Sequence, residues 1–136
     1  MKNFNNKVAA ITGAGSVIGQ QLALLLAKQG CHLALSDVNE QGLAQTAELV
    51  KQSHVRVTTK KLDVADRDAM KEWAADTVQD HGSVNMIFNN AGVALGSTVE
   101  GASYEELEWI VNINFWGVVY GTKEFLPLIK KSGEGH

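Results

Sequence analysis

Short apolar runs alternate with amphipathic stretches along the 136-residue chain. Val8-Ala9-Ala10-Ile11 predicts a short buried strand, and Thr12 to Ser16 a glycine-rich turn. Ile18 to Gln29 predicts a helix. Its segment Leu22 to Ala27 is apolar nearly all round, so it is expected between a sheet and another layer. Gly30 is a suitable helix stop. His32 to Ser36 predicts a second strand that ends at Asp37. Asn39 is placed to cap a helix from about Glu40 to Gln52, with Leu43, Ala47 and Val50 on one face. Val55 to Thr59 alternates and is β-branched, which predicts a third strand. Asp66 caps a helix that ends near His81-Gly82, with Met70, Trp73, Ala74 and Val78 facing inward. Val84 to Phe88 predicts a fourth strand. Ser103-Tyr104-Glu105-Glu106 reads as a capping box that opens a long helix to about Lys131.

Strand then helix, four times over, predicts an α/β fold with a parallel sheet and right-handed crossovers. In a partial Rossmann-type, doubly wound arrangement the strand order is 3-2-1-4. No repeat or linker interrupts the chain and Pro127 is its only proline, so residues 1–136 read as one dinucleotide-binding domain that stops short of a fifth strand.

Composition narrows the picture. A chain 45% hydrophobic and 20% charged suits one soluble globular domain. At this length roughly 68% of the unfolded surface can be buried, so no staples are needed. The net charge is −3 and the longest basic run is Lys60-Lys61, which speaks against nucleic acid and anionic membrane as partners. Cys31 is the only cysteine and is expected as a small buried residue. His32, His54, His81 and His136 show no ligand spacing, so no metal site is expected. Residues 1–7 are polar and no stretch approaches a membrane span, which makes the cytoplasm the default expectation.

The chemistry begins at Thr12-Gly13-Ala14-Gly15-Ser16-Val17-Ile18-Gly19, between a strand and a helix. Glycines let the backbone turn tightly against a diphosphate, and the helix start offers free N–H groups and partial positive charge. The strict G-x-G-x-x-G pattern needs glycine at Ile18 and fails there. Asp37, at the end of the second strand, is placed to accept hydrogen bonds from adenosine ribose hydroxyls and to repel a 2′-phosphate. Val38 follows it, and no arginine or lysine stands at Ser16. NAD is therefore expected over NADP.

Thr12, Gly13 and Gly19 fit T-G-x-x-x-G-x-G. Asn89-Asn90-Ala91-Gly92 gives N-N-A-G, Asp63-Val64 an acidic residue after the third strand, and Asn114 to Gly117 the pattern N-x-x-G. With these four motifs in order, the chain resembles the N-terminal part of the classical short-chain dehydrogenase/reductase family. The resemblance implies that Gly13, Gly15, Ser16, Val17, Ile18 and Gly19 wrap the cofactor diphosphate. It implies that Asp63 and the Val64 amide meet the adenine, and that Asn90, Ala91 and Gly92 line the ribose.

Two departures stand out. Val17 replaces the family's middle glycine, and its branched side chain is expected to project into cofactor space and weaken binding. The family's catalytic serine and Tyr-x-x-x-Lys pair are absent. Tyr104 is followed four residues on by Glu108 and Tyr120 by Glu124, while Tyr120 and Lys123 have the wrong spacing. Of the catalytic set only Asn114 remains, in a helix position that suggests a kink where water enters. The expected function is the cofactor-binding part of an NAD(H)-dependent oxidoreductase acting on a secondary alcohol or ketone, inactive as this chain stands. The alternative is a non-catalytic dinucleotide-binding or interaction module. The stripe Trp109, Trp116, Ile113, Val119 and Phe125 on the helix 103–131 suits either packing on the chain's own sheet or contact with a second copy; with the open edge of the fourth strand, self-association is expected.

Overall fold

In the computed structural model, which describes residues 3–136, the first apolar run forms strand β1, Val8–Thr12, with every residue buried. Helix α1 spans Val17–Lys28, β2 His32–Asp37, α2 Glu40–Lys51, β3 Val57–Lys61, α3 Arg67–His81 and β4 Met86–Phe88. Helix α4, Tyr104–Val111, runs through a π-helical turn, Asn112–Trp116, into α5, Gly117–Lys131. The four strands are parallel in the order β3-β2-β1-β4, as the Rossmann reading requires.

Strand residues alternate between two cores, because successive side chains point to opposite faces. Ala9, Ile11, Leu33 and Leu35 meet α1 and α2, through Ala23, Leu26, Leu43 and Val50. Val8, Ala10 and Ala34 meet α3 and α5, through Met70, Trp73, Phe125 and Ile129. Trp73 and Phe125 cross edge to face with ring centroids 5.0 Å apart. With both faces covered, the central strands are apolar throughout. Cys31 is buried as expected, and loss of solvation pushes its thiol up to about 11.

Local signals hold at the helix ends. Asn39 accepts from the Gly42 amide, Asp66 accepts from the Ala69 amide, and Ser103 with Glu106 completes both halves of its capping box. Gly30 and Gly82 adopt positive φ of 78° and 82° just past their helices, a conformation that suits glycine.

Four readings need correction. Helix α1 buries only one face, Gly19, Ala23, Leu26 and Ala27, and Leu25 is 58% exposed, because no second layer covers it. Strand β3 lies two residues later than predicted. Its register against β2, Leu33↔Val57 through Asp37↔Lys61, extends it through two lysines at an edge. Those lysines point to opposite faces: Lys60 reaches Asp76 (2.9 Å) and Glu72 (3.1 Å) on α3, and Lys61 reaches Glu40 (2.9 Å) on α2. The fourth strand is shorter than predicted, because Asn85 serves as a junction instead. Its side chain accepts from the Val8 amide and donates to Ser132 and to the Glu134 carbonyl. Part of the β4 edge is also occupied: His136 donates to the Asn85 carbonyl and accepts from the Ile87 amide. The irregularity expected at Asn114 takes the form of the π-helical turn at 112–116.

At the C-terminal end of α3, His81 Nε2 lies 2.9 Å from Thr58 Oγ1, and its Nδ1 is buried without a partner. Burial, then the charges of Arg56 and His32, hold His81 below its ordinary 6.5, against a weaker opposing pull from Asp80. The unfolded chain therefore binds a proton that the folded chain refuses. This contribution to stability is present above about pH 6.5 and is lost as pH falls toward the lower folded value. The drop in melting temperature between about pH 7.5 and about pH 5.5 is expected to shrink in His81→Gln. An unchanged drop would contradict this account of His81.

Candidate functional site

A cleft opens beyond the carboxyl ends of the strands, where an open parallel α/β sheet places its ligand. Each strand sends its following residues there. Gly13 and Ser16 come from the turn after β1, Asp37 and Val38 from β2, Leu62, Asp63 and Val64 from β3, and Asn90 to Val93 from β4. Ile113 of the π-helical turn closes the far side.

The turn after β1 is determined by close backbone contacts. Gly13 has φ of 64°, and a Cβ there would sit 2.9 Å from the Ala91 Cα. A Cβ on Gly19 would collide with the Gly13 carbonyl oxygen. A Cβ on Gly15 would stand 2.8 Å from the Leu43 amide nitrogen. Gly15 thus faces α2, and its lack of a side chain serves helix packing. Thr12 joins this turn to the one after β4. It is buried, its hydroxyl accepts from the Asn90 and Ala91 amides (both 3.0 Å), and it lies 3.3 Å from the Phe88 carbonyl as donor. The Asn90 carboxamide donates back to the Thr12 and Gly13 carbonyls.

Helix α1 begins without a side-chain cap. Ser16 Oγ turns away and donates to the Gly13 carbonyl at 2.6 Å, and the first turn holds no acidic residue. The amides of Val17, Ile18 and Gly19 precede the first possible intrahelical acceptor. With the positive end of the helix dipole, they form a place for an anion. Asp37 faces the same opening. Its Oδ2 accepts from the Gly15 amide (2.8 Å) and its Oδ1 from the Asn39 amide (2.9 Å). Each carboxylate oxygen keeps a free lone pair. Asp63 accepts from the Ala65 amide at 2.9 Å, which fixes its turn at the cleft wall.

Of the predicted residues, Gly13, Ser16, Asp37, Asp63, Val64, Asn90, Ala91 and Gly92 come together in the cleft. Gly15, Val17, Ile18 and Gly19 are not in its wall. Val17 is 79% exposed, because the first residue of α1 points outward. Val38, Leu62, Val93 and Ile113 were missed as cleft residues. Ile113 reads in sequence as helix packing, and only the fold shows that it also faces the opening. Asn114 is held at the rim: its carboxamide accepts from the Val93 amide (2.9 Å) and donates to the Val93 carbonyl (2.8 Å). The predicted irregularity at Asn114 is this π-helical turn, in which Gly117 donates to the carbonyl five residues back, Asn112. Gly117 and Gly121 allow the close approach of α5, since a Cβ on Gly117 would stand 2.7 Å from Val64 Cγ2. A Cβ on Gly121 would collide with Asn89 Oδ1. Tyr120 stacks on Trp116 with centroids 5.8 Å apart and packs on the core, while Tyr104 is exposed.

A parallel sheet in this order, with a glycine turn into an uncapped helix at its carboxyl edge, defines a Rossmann-type α/β protein. The chain belongs to the short chain dehydrogenase family, which it matches over residues 7–136. It is 46% identical to SadH of Mycobacterium tuberculosis over 136 residues, covering all of this chain and 49% of the relative. It is 35% identical to a cyclohexanol dehydrogenase of an Acinetobacter species over 134 residues, covering 97% of this chain and 53% of the relative. The solved structure of a short chain dehydrogenase/reductase from Burkholderia phymatum in complex with NAD superposes with a TM-score of 0.94 at 34% identity. That match covers 98% of this chain and 48% of the other. The chain thus spans about half the length of these relatives.

Proposed function

We propose that this chain is the NAD(H)-binding part of an oxidoreductase that interconverts secondary alcohols and ketones, and that it transfers no hydride by itself. The observation that carries the reading is the pairing of an uncapped helix start with the Asp37 carboxylate across one cleft. The NAD complex of the Burkholderia phymatum protein and the name of the Acinetobacter dehydrogenase support the cofactor and the alcohol class.

When bound, the cofactor supplies the hydride donor or acceptor. The chain's own residues bind and orient it. The amides of Val17, Ile18 and Gly19 take the diphosphate. Asp37 accepts from the adenosine ribose hydroxyls and repels a 2′-phosphate, which favours NAD over NADP. Asp63 and the Val64 amide meet the adenine, and Asn90, Ala91 and Gly92 the ribose. Alcohol–ketone interconversion also needs a group that takes up and returns a proton. An ordinary tyrosine near pKa 10 is a poor base at neutral pH unless a neighbouring cation lowers it. Neither Tyr104 nor Tyr120 has a lysine four residues on. Asn114 has its carboxamide committed to Val93. Calorimetric titration with NADH is expected to show one saturable site, with no NADH oxidation on added cyclohexanone. Absence of binding to folded protein, or turnover by this chain alone, would refute the proposal.

Val17 is expected to weaken cofactor binding, since its amide is one of the three assigned to the diphosphate and its branched side chain, though turned outward, is carried on that same first residue of α1. Val17→Gly should bind NADH about threefold to tenfold tighter, with helix propensity lowered by less than about 1 kcal/mol. Equal affinities would refute this.

We also propose self-association through the 103–131 segment. Trp109, Phe115, Trp116, Val118 and Leu126 are all substantially exposed there, and apolar surface of this kind finds partners. Light scattering across a concentration series should show a rising mass; a constant monomer mass would contradict it.

A further inference from the structure

We propose that Thr46, on α2 and outside the cleft, is a positioning residue for dinucleotide binding, because its buried hydroxyl holds the turn that presents the diphosphate-binding amides. The inference rests on the reading of that turn as the diphosphate site.

Thr46 is completely buried on the inner face of α2, between Leu43 and Val50. Packing alone would be served by valine, which has the same shape and a similar helix propensity. A hydroxyl costs free energy to bury unless it finds a partner. The Thr46 hydroxyl has one proton to donate. Its shorter contact is the Ala14 carbonyl at 2.8 Å, against 3.1 Å to the Gly42 carbonyl of its own helix. It also accepts from Gln20 Nε2 of α1 at 3.2 Å, so one side chain ties together the turn and the helices on either side of it.

The rest of the turn shows why this contact matters. The Ala14 amide donates to the Ser36 carbonyl at 3.0 Å, and the Gly15 amide donates to Asp37 at 2.8 Å. Residues 14 and 15 are therefore gripped from β2 on one side and from α2 on the other. The α2 grip consists of the Thr46 bond and the close approach of Gly42, where a Cβ would stand 2.7 Å from the Gly15 carbonyl oxygen. Ser16 and the first turn of α1 follow directly, so slack at Ala14 is transmitted to the amides that meet the anion. Preorganised donors bind more tightly than donors that must first be ordered.

The test is NADH titration, followed by cofactor fluorescence, of the unaltered chain, Thr46→Val, Thr46→Ser and Gly42→Ala, each with a thermal melt. Thr46→Val keeps the shape and removes the bond, and is expected to weaken NADH binding about fivefold to tenfold. Thr46→Ser keeps the hydroxyl and should restore affinity to within about twofold, even though it leaves a small gap in the core. A role in stability alone would lower the melting temperature in both variants and leave the affinity of the folded fraction unchanged. Gly42→Ala favours the helix, keeps Thr46 and pushes the turn from the same side, so it decides the matter if Thr46→Val does not fold. It too should weaken NADH binding. Unaltered chain that binds NADH while Thr46→Val, or failing its folding Gly42→Ala, binds equally well would overturn the role of Thr46 and leave the proposed function standing. So would a Thr46→Ser variant as weak as Thr46→Val. Unaltered chain that does not bind NADH would overturn both.

Discussion

Replacing Gly19 by alanine is expected to destabilise the chain by about 2 kcal/mol and to weaken NADH binding at least about tenfold. In most helices the same change would stabilise by up to about 1 kcal/mol. Here the added Cβ would collide with the Gly13 carbonyl oxygen and stand 2.8 Å from the Gly13 carbonyl carbon and 2.9 Å from the Ala14 Cα. All three are backbone atoms, so no side chain can rotate away. The turn and the helix start must separate, and overpacking of that kind costs about 1–3 kcal/mol or more. The separation also moves the amides of Val17 to Gly19 out of line with the anion. Chemical denaturation and NADH titration check the two effects. Unchanged stability together with unchanged affinity would show that the turn tolerates what its geometry forbids.

Asp37→Ala should reverse the cofactor preference. Hydrogen bonds to a charged acceptor contribute about 1.5–3 kcal/mol, so NADH affinity is expected to fall about tenfold to a hundredfold. NADPH should lose far less, because a repulsion disappears along with the ordering role. Asp37 also accepts from the Gly15 and Asn39 amides, so the variant loosens the turn for both cofactors alike. The ratio of the two dissociation constants separates these effects, since the loosening cancels in it. A ratio unchanged from the unaltered chain would remove Asp37 from cofactor selection.

What was legible in the sequence was mostly local. The caps Asn39, Asp66 and Ser103 each satisfy amides within three residues of themselves, so their meaning does not wait on the fold. Strand β1 and the strand order follow from apolar runs and from the alternation of elements. What was not legible depends on partners far away in sequence. The register of β3 is set by β2, and by lysines that reach acids on two different helices. The exposure of Leu25 depends on a layer that does not cover it. The π-helical turn is held by a carboxamide twenty-one residues from its partner, Val93. Gly15 matched a cofactor motif by position, yet its missing side chain makes room for α2. Thr46 looked like any helix threonine until its hydroxyl met Ala14. In the site itself, residues that belong to a motif were found, Val64 and Ala91 among them, whereas the apolar Val38, Leu62, Val93 and Ile113 outside any motif were not. Apolar residues in a cleft and in a core carry the same signal in one sequence.

The central claim is that the turn after β1 and the end of β2 together hold an adenine dinucleotide. Backbone amide chemical shifts followed during an NADH titration test it most directly. The largest changes should fall on Gly13, Ser16 to Gly19, Asp37, Asp63 and Asn90 to Gly92, saturating together. Saturable binding that leaves those amides in place, or well-dispersed spectra that never respond to NADH, would contradict it.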